Sequence, residues 1–196
     1  MTEKILTPGI SDDEFIRGEV PMTKEEVRSV SICKLKLCAD SCLYDIGSGT
    51  GSVAIEAAHL SPKIKVFAVE AKDEAVELIQ KNCGKFNAEN VSVINGSAPQ
   101  ALETLPVPTH AFIGGTNGRL KEILRALYRK NPEMRIVMTA VSIETVSEMQ
   151  SVLSDYPVTD DEIIQVSVAK AKKAGAHHLL MANNPVFVFS FTYKKP

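Results

Sequence analysis

The sequence predicts an α/β fold: an open, mostly parallel sheet with helices on both faces and an antiparallel hairpin at its end. Two observations carry that prediction. Short apolar runs alternate with helix-periodic segments from Leu43 to Leu153, the order of a β-α-β chain. Beyond Leu153 the character changes, and two strand-like runs follow with no helix pattern between them, most simply an antiparallel pair. No repeat or low-complexity segment interrupts this order, and 196 residues fit one unit, residues 1–196, with a sizeable core.

The elements follow in sequence. Thr23 and Glu26 have capping-box spacing behind Pro21, which predicts a helix over about 24–35. Residues 43–46 read as a buried strand and 52–60 as a helix stopped by Pro62. A second strand is expected at 65–69. Asp73 is expected to cap the next helix, with Val76, Ile79, Cys83 and Phe86 on one face. Residues 91–94 read as the third strand, and 110–113 as the fourth, ending in Gly114-Gly115. Helix at 120–128, strand at 135–140 and helix at 143–153 complete the five β-α units. The terminal strands are expected at 162–169 and 186–193, joined by a loop over 170–185.

Composition narrows the function classes. A net charge of −2 and a pI near 6.1 leave no general nucleic-acid footprint. Arg119, Lys121 and Arg125, or Lys170, Lys172 and Lys173, form local basic groups whose simpler reading is a solvated face. No apolar run reaches the roughly 18 residues that span a membrane, and the start lacks a signal-peptide pattern, so a cytoplasmic protein is expected. Cys33, Cys38, Cys42 and Cys83 contain no C-x-x-C pair and match no common iron–sulfur spacing; they read as reduced, partly buried thiols, with no metal site.

The chemistry concentrates at Gly47-Ser48-Gly49-Thr50-Gly51, where a strand enters a glycine turn and a helix follows at once. That order puts bare backbone N–H groups beside a ligand at the positive end of a helix. A dinucleotide fingerprint requires G-x-G-x-x-G, and here the third glycine comes one residue early. No P-loop run exists. Glu70 closes the second strand, where a carboxylate accepts both hydroxyls of a ribose; its simpler reading is an acid at a helix start.

An apolar run carrying Asp45, the three glycines and then Glu70 together resemble the class I S-adenosylmethionine-dependent methyltransferases, a Rossmann-like family with a seven-stranded sheet ending in an antiparallel hairpin. Further blocks narrow the resemblance. Pro21-Met22-Thr23-Lys24-Glu25-Glu26-Val27-Arg28, Asn95-Gly96-Ser97-Ala98-Pro99 and Ala111-Phe112-Ile113-Gly114-Gly115-Thr116 are similar to the CbiT-type decarboxylating precorrin methyltransferases of cobalamin biosynthesis. So are Ala140-Val141-Ser142-Ile143-Glu144 and Asn184-Pro185-Val186. The likeness runs from about Gly9 to Tyr193, with residues 1–36 expected as a covering segment and helix.

The resemblance implies methylation of carbon 15 of a cobalt-precorrin-6B-like macrocycle and decarboxylation of its ring C acetate. It implies S-adenosylmethionine as cofactor, with the turn Gly47, Ser48, Gly49, Thr50 and Gly51 at the methionine part, Glu70 on the ribose and Ala98 beside the adenine. Thr23 matches a further cofactor position, and Asp45 orients the methionine amino group, directly or through water. The alternative for Asp45 is an acid satisfied by backbone N–H groups. A homo-oligomer, often a tetramer, is implied, with carbon-5 methylation left to a separate subunit. His110 and Thr139 stand where the family often has aspartate and asparagine.

Transfer from a sulfonium to an enamine carbon needs alignment and water exclusion more than a catalytic nucleophile, so none is assigned. An acidic substrate does need cationic and N–H donors. Gly114, Gly115 and Arg119 are expected on that rim, with Arg17 as a second cation. His177 and His178 are candidates for proton transfer whose simpler reading is plain exposure. The rival reading is a class I methyltransferase acting on RNA, protein or another small molecule; the place after the fourth strand holds Gly-Gly-Thr-Asn, unlike the RNA enzymes' Asn-Pro-Pro-Tyr.

Overall fold

A computed structural model describes residues 7–195; residues 1–6 and 196 of the expected unit lie outside the described residues. Seven strands form one sheet in the order β3-β2-β1-β4-β5-β9-β6. They are β1 Cys42–Ile46, β2 Lys65–Glu70, β3 Val91–Asn95, β4 His110–Ile113, β5 Arg135–Ala140, β6 Val158–Val166 and β9 Val186–Tyr193. The first five run parallel, and β9 lies antiparallel between β5 and β6. Strand order reverses between β1 and β4, which opens a crevice at their carboxyl ends.

Burial on both faces explains the apolar strands. All four residues of β4 are buried, as a parallel strand covered by helices requires. On β1, Leu43 packs with α1 Glu25–Leu35 and α2 Ser52–His59 through Ile32, Ala54 and Ala57. Tyr44 and Ile46 turn to the other face, where α4 Leu120–Lys130 and α5 Ile143–Leu153 bury Leu124, Leu127 and Met149. The fifth helix, α3 Asp73–Phe86, buries Val76 and Ile79, while Cys83 and Phe86 lie half-buried at its edge. Among the described residues no helix is long and apolar enough to cross a membrane.

Two expected caps are replaced. Helix α1 begins at Glu25 with Lys24 as N-cap, one residue too late for the Thr23–Glu26 box. Asp12 supplies the cap instead, accepting the Glu25 N–H at 3.0 Å, and Glu26 turns to Lys170 at 2.6 Å. Helix α3 has Lys72 as N-cap, and Asp73 accepts from Asn95 Nδ2 at 2.8 Å.

The expected loop over 170–185 is also corrected. It folds into a separate two-stranded ribbon, β7 Ala169–Ala174 and β8 His177–Ala182, around Gly175 at φ +60°. Every residue of the ribbon is exposed, so its strands carry no burial alternation to read, and the Ala-Lys run is a weak strand former. Strand β6 starts earlier than expected because a bulge between Thr159 and Glu162 admits the polar Thr-Asp-Asp stretch.

Candidate functional site

The glycine turn sits at the crevice, and close packing explains its composition. Gly47 has φ +70°, and a Cβ there would stand 2.7 Å from the Gly115 backbone nitrogen. Gly49 has φ +61°, and its Cβ would meet the Pro21 carbonyl oxygen at 2.6 Å. The turn is thus clamped between the loop after β4 and the segment that precedes α1, and only glycine fits at either contact. Gly51 is the N-cap of α2.

Asp45 lies beneath this turn with no exposed surface. Its Oδ2 accepts from the Ser48 hydroxyl at 2.6 Å and the Ala54 N–H at 3.1 Å. Its Oδ1 has no partner among the described residues. Burial pushes its pKa up to about 7, against the pull of those two hydrogen bonds and with a small push from Glu70. Both readings of Asp45 keep support: one oxygen is satisfied locally and the other is not. Thr50 is fully buried too, and its carbonyl accepts from Asn82 Nδ2 at 2.9 Å.

Glu70 ends β2 and faces the turn. Its Oε2 accepts the Gly49 N–H at 3.0 Å, and its Oε1 accepts the N–H groups of Ala71 and Lys72 at 2.8 and 3.1 Å. Glu70, Gly47 and Val69 wall a narrow cleft closed by Ala98, Ser97 and Ile123. A larger cavity of about 540 Å³ opens from the same turn. Thr23, Ser48, Gly49, Gly114 and Gly115 line it, as do Lys24, Lys72, Thr139, Asn183 and Asn184.

The N-terminal segment is a wall of that cavity and is held by a buried cation. Arg28 is fully buried, with Nη1 3.1 Å from Asp12 Oδ1 and donating to the Thr23 carbonyl at 2.6 Å. Its Nη2 donates to the Ile10 carbonyl, and its Nε lies 3.1 Å from Glu56 Oε2. The Phe15 ring covers the guanidinium at 4.9 Å. Asn82 adds a second tie, accepting the Ile16 N–H at 2.7 Å and donating to the Ile16 carbonyl at 3.0 Å.

Some expected residues lie apart. Arg119 is the N-cap of α4 and lines neither space; it donates to Gln100 Oε1 at 2.9 Å and to Ser97 Oγ, bracing the loop that carries Ala98. Arg17 is exposed and lines neither space. His177 and His178 are exposed on β8. Sequence reading missed Lys24, Lys72, Asn82, Asn183 and Asn184. A lysine directly before a helix start was a usable signal for the first two, and Asn184 lay in the Asn-Pro-Val block already singled out; nothing local marked Asn82 or Asn183. Among the described residues no group of three or more His, Cys, Asp or Glu is placed to hold a metal.

Residues 14–193 match the family model described as the precorrin methyltransferase domain. A protein of Sulfurisphaera tokodaii named "Probable cobalt-precorrin-6B C(15)-methyltransferase (decarboxylating)" is 43% identical over 185 residues, covering 92% of this chain and 95% of its own. The crystal structure of a precorrin-6y C5,15-methyltransferase from Geobacter metallireducens superposes with a TM-score of 0.88 at 39% identity, covering 95% of this chain and 98% of that one. A precorrin 8W decarboxylase from Methanobacterium thermoautotrophicum gives 0.84 at 32% identity over 93% and 98% of the two chains.

Proposed function

The chain belongs to the precorrin methyltransferase family, and on that premise we propose that it is a decarboxylating C-methyltransferase of cobalamin biosynthesis. It transfers a methyl group from S-adenosylmethionine to carbon 15 of a cobalt-precorrin-6B-like macrocycle and removes the carboxyl group of the ring C acetate as carbon dioxide, leaving a methyl group on the ring. The observation that carries this reading is the bond from the Gly49 N–H to Glu70 Oε2 beside an open cavity of about 540 Å³. It holds the ribose-selecting carboxylate against the turn that cradles the methionine part.

The residues fit that cofactor. Gly47 and Gly49 let the turn pack against Gly115 and Pro21 at the rim of the cavity, Glu70 presents its carboxylate at the strand end, and Ala98 walls the cleft on the adenine side. Ser48, Thr50 and Gly51 complete the turn, Thr23 closes it from the covering segment, and Asp45 keeps an unpaired Oδ1 for the amino group. When bound, the cofactor supplies an electrophilic methyl on a sulfonium. The protein aligns the acceptor carbon with it and keeps water out, using Val20 and Met22 of the covering segment. Gly114 and Gly115 border the acceptor side, while Arg119 acts one step back by fixing the Ala98 loop.

Incubation with S-adenosylmethionine and cobalt-precorrin-6B, followed by mass spectrometry, tests the reading. Gain of a methyl with loss of carbon dioxide is the expected product; methyl gain without that loss refutes the decarboxylase half, and neither change refutes the whole.

The assembly is part of the proposal. Leu179, Leu180 and Met181 are 55%, 74% and 57% exposed on a ribbon whose residues are all exposed. An isolated two-stranded ribbon is marginal in water, so copies of the chain cover it in a homo-oligomer, with the family's tetramer as the expected state. Light scattering after gel filtration reads this directly, and a monomer at micromolar concentration refutes it.

A further inference from the structure

Under the proposed function the acceptor is a macrocycle rimmed with carboxylates, and two cations line the large cavity. The charged lining of the large cavity is unbalanced: it holds Lys24, Lys72 and one carboxylate, Glu70. That carboxylate is taken up by the N–H groups of Gly49, Ala71 and Lys72. The apolar lining includes Val20, Met22, Val27, Val141 and Val186, which suits the ring hydrocarbon between its acidic side chains.

The protein neutralises these ammonium groups incompletely. Lys24 Nζ makes a loose ion pair at 3.6 Å with Asp12 Oδ2, with no hydrogen bond between them. Asp12 is already engaged by Arg28 Nη1 at 3.1 Å and the Glu25 N–H at 3.0 Å. Lys72 makes no ion pair among the described residues.

Their place in the fold is also adverse without an anion. Lys24 is the N-cap of α1 and Lys72 the N-cap of α3, and neither side chain makes a capping bond. A helix N-terminus carries positive partial charge and favours Ser, Thr, Asp or Asn at this position. The acids of the same helix starts are directed elsewhere: Glu25 and Glu26 face Lys170, and Asp73 accepts from Asn95. Arg119, the cation at the N-cap of α4, is committed to Gln100 and Ser97. Two lysines on one cavity, Lys72 unpaired among the described residues and Lys24 sharing its one carboxylate with Arg28, therefore have a common purpose.

We propose that Lys24 and Lys72 are the substrate-anchoring residues of this site, each binding a carboxylate that remains on the macrocycle after the reaction. They replace Arg119 and Arg17 in that role. Because both are partly solvated, their contribution falls with salt.

The test is a fluorescence titration with uroporphyrin, an octacarboxylate tetrapyrrole, against the parent, Lys24→Gln, Lys72→Gln, the double variant and Lys63→Gln. Calorimetry with S-adenosylhomocysteine runs in parallel. At low ionic strength each single substitution is expected to weaken porphyrin binding about three- to tenfold, and the double variant by about the product. The parent's affinity falls with salt while the double variant's hardly changes. S-adenosylhomocysteine affinity and the Lys63→Gln protein stay at the parent level. Porphyrin binding that is strong, salt-dependent and indifferent to both lysines overturns this proposal and leaves the methyltransferase reading standing. Failure of the parent to bind porphyrin while it binds S-adenosylhomocysteine overturns the tetrapyrrole reading itself, and the anchors with it.

Discussion

Replacing Asp45 by asparagine separates what this residue does for folding from what it does for a ligand. The substitution keeps shape: an amide oxygen still accepts from Ser48 Oγ and the Ala54 N–H. It removes a carboxylate whose pKa is raised by burial from 3.8 to about 7. The sign follows from linkage. Below the unfolded value both states hold the proton and no penalty exists. Between 3.8 and 7 only the unfolded chain releases it, so stability falls as pH rises; above 7 the penalty is complete. Three units correspond to a ceiling on the order of 4 kcal/mol. The new amide NH₂ in the place of the unpaired Oδ1 returns about 1–3 kcal/mol of that, since it is buried without an acceptor. Cofactor-free Asp45→Asn is therefore expected to be less stable than the parent near pH 4 and to match or exceed it at pH 8. Thermal melts read the difference at roughly 2–4 °C per kcal/mol for a chain of this size. S-adenosylmethionine binding reverses the ranking. With the ammonium placed at Oδ1 as proposed, it favours the ionised carboxylate, so the parent's affinity is expected to rise through about pH 7 with release of a proton, and the variant to bind weakly with a flat profile. Melting curves of parent and variant that shift in parallel with pH refute the reasoning.

Three further outcomes follow from the geometry. Gly47→Ala forces a Cβ to 2.7 Å from the Gly115 nitrogen at φ +70°, and neither backbone has room to yield; isothermal titration should show loss of cofactor binding, with melting lowered by at least about 1–3 kcal/mol. Glu70→Ala removes a carboxylate that orders the Gly49, Ala71 and Lys72 N–H groups and is proposed to meet the ribose; S-adenosylhomocysteine affinity should fall by about 1.5–3 kcal/mol, measured by calorimetry, and an unchanged value removes Glu70 from the site. Arg28→Met strands Glu56, which is 2% exposed, and frees the segment from Ile10 to Thr23; chemical denaturation should report a loss of about 3–5 kcal/mol, and Arg28→Met with Glu56→Gln should recover part of it.

The parallel core was legible almost to the residue because two physical signals agree there. Strands covered on both faces are continuously apolar, and the helices between them show a single buried stripe. The predicted ends of β1, β2 and β3 differ from the observed ones by a single residue, and β4, β5 and β9 agree. The misses share a cause. Caps are decided by partners distant in sequence: Asp12 displaced Thr23 at α1, and Lys72 holds the position expected of Asp73. The β7–β8 ribbon buries nothing within the chain, so it left no alternation to detect. Gly47, Gly49 and Glu70 were visible because the turn imposes residue type locally. Asn82 was not, because its role is to bridge Ile16 and Thr50 from the middle of a helix.

The division between visible and hidden residues follows the division of labour in the site. Everything assigned to the cofactor hangs on the ends of β1, β2 and β4, whose register is set by the sheet: Asp45 pairs across with Ala68 and Phe112, and Ile46 with Val69 and Ile113. The acceptor side is built from pieces outside that frame. Val20 to Lys24 precede the first strand, and Asn183, Asn184 and Val186 come from the end of the ribbon and the start of β9. Two ties join these pieces: Arg28 and Asn82 hold the N-terminal segment to the helices, and Lys170 on β7 reaches Glu26 on α1 at 2.6 Å. The wall proposed to meet the macrocycle is thus held through side-chain ties to helices and the ribbon rather than by strand register. A change in Asn183 or Lys170 is therefore expected to alter acceptor binding while leaving cofactor affinity alone, and a change at Glu70 the reverse.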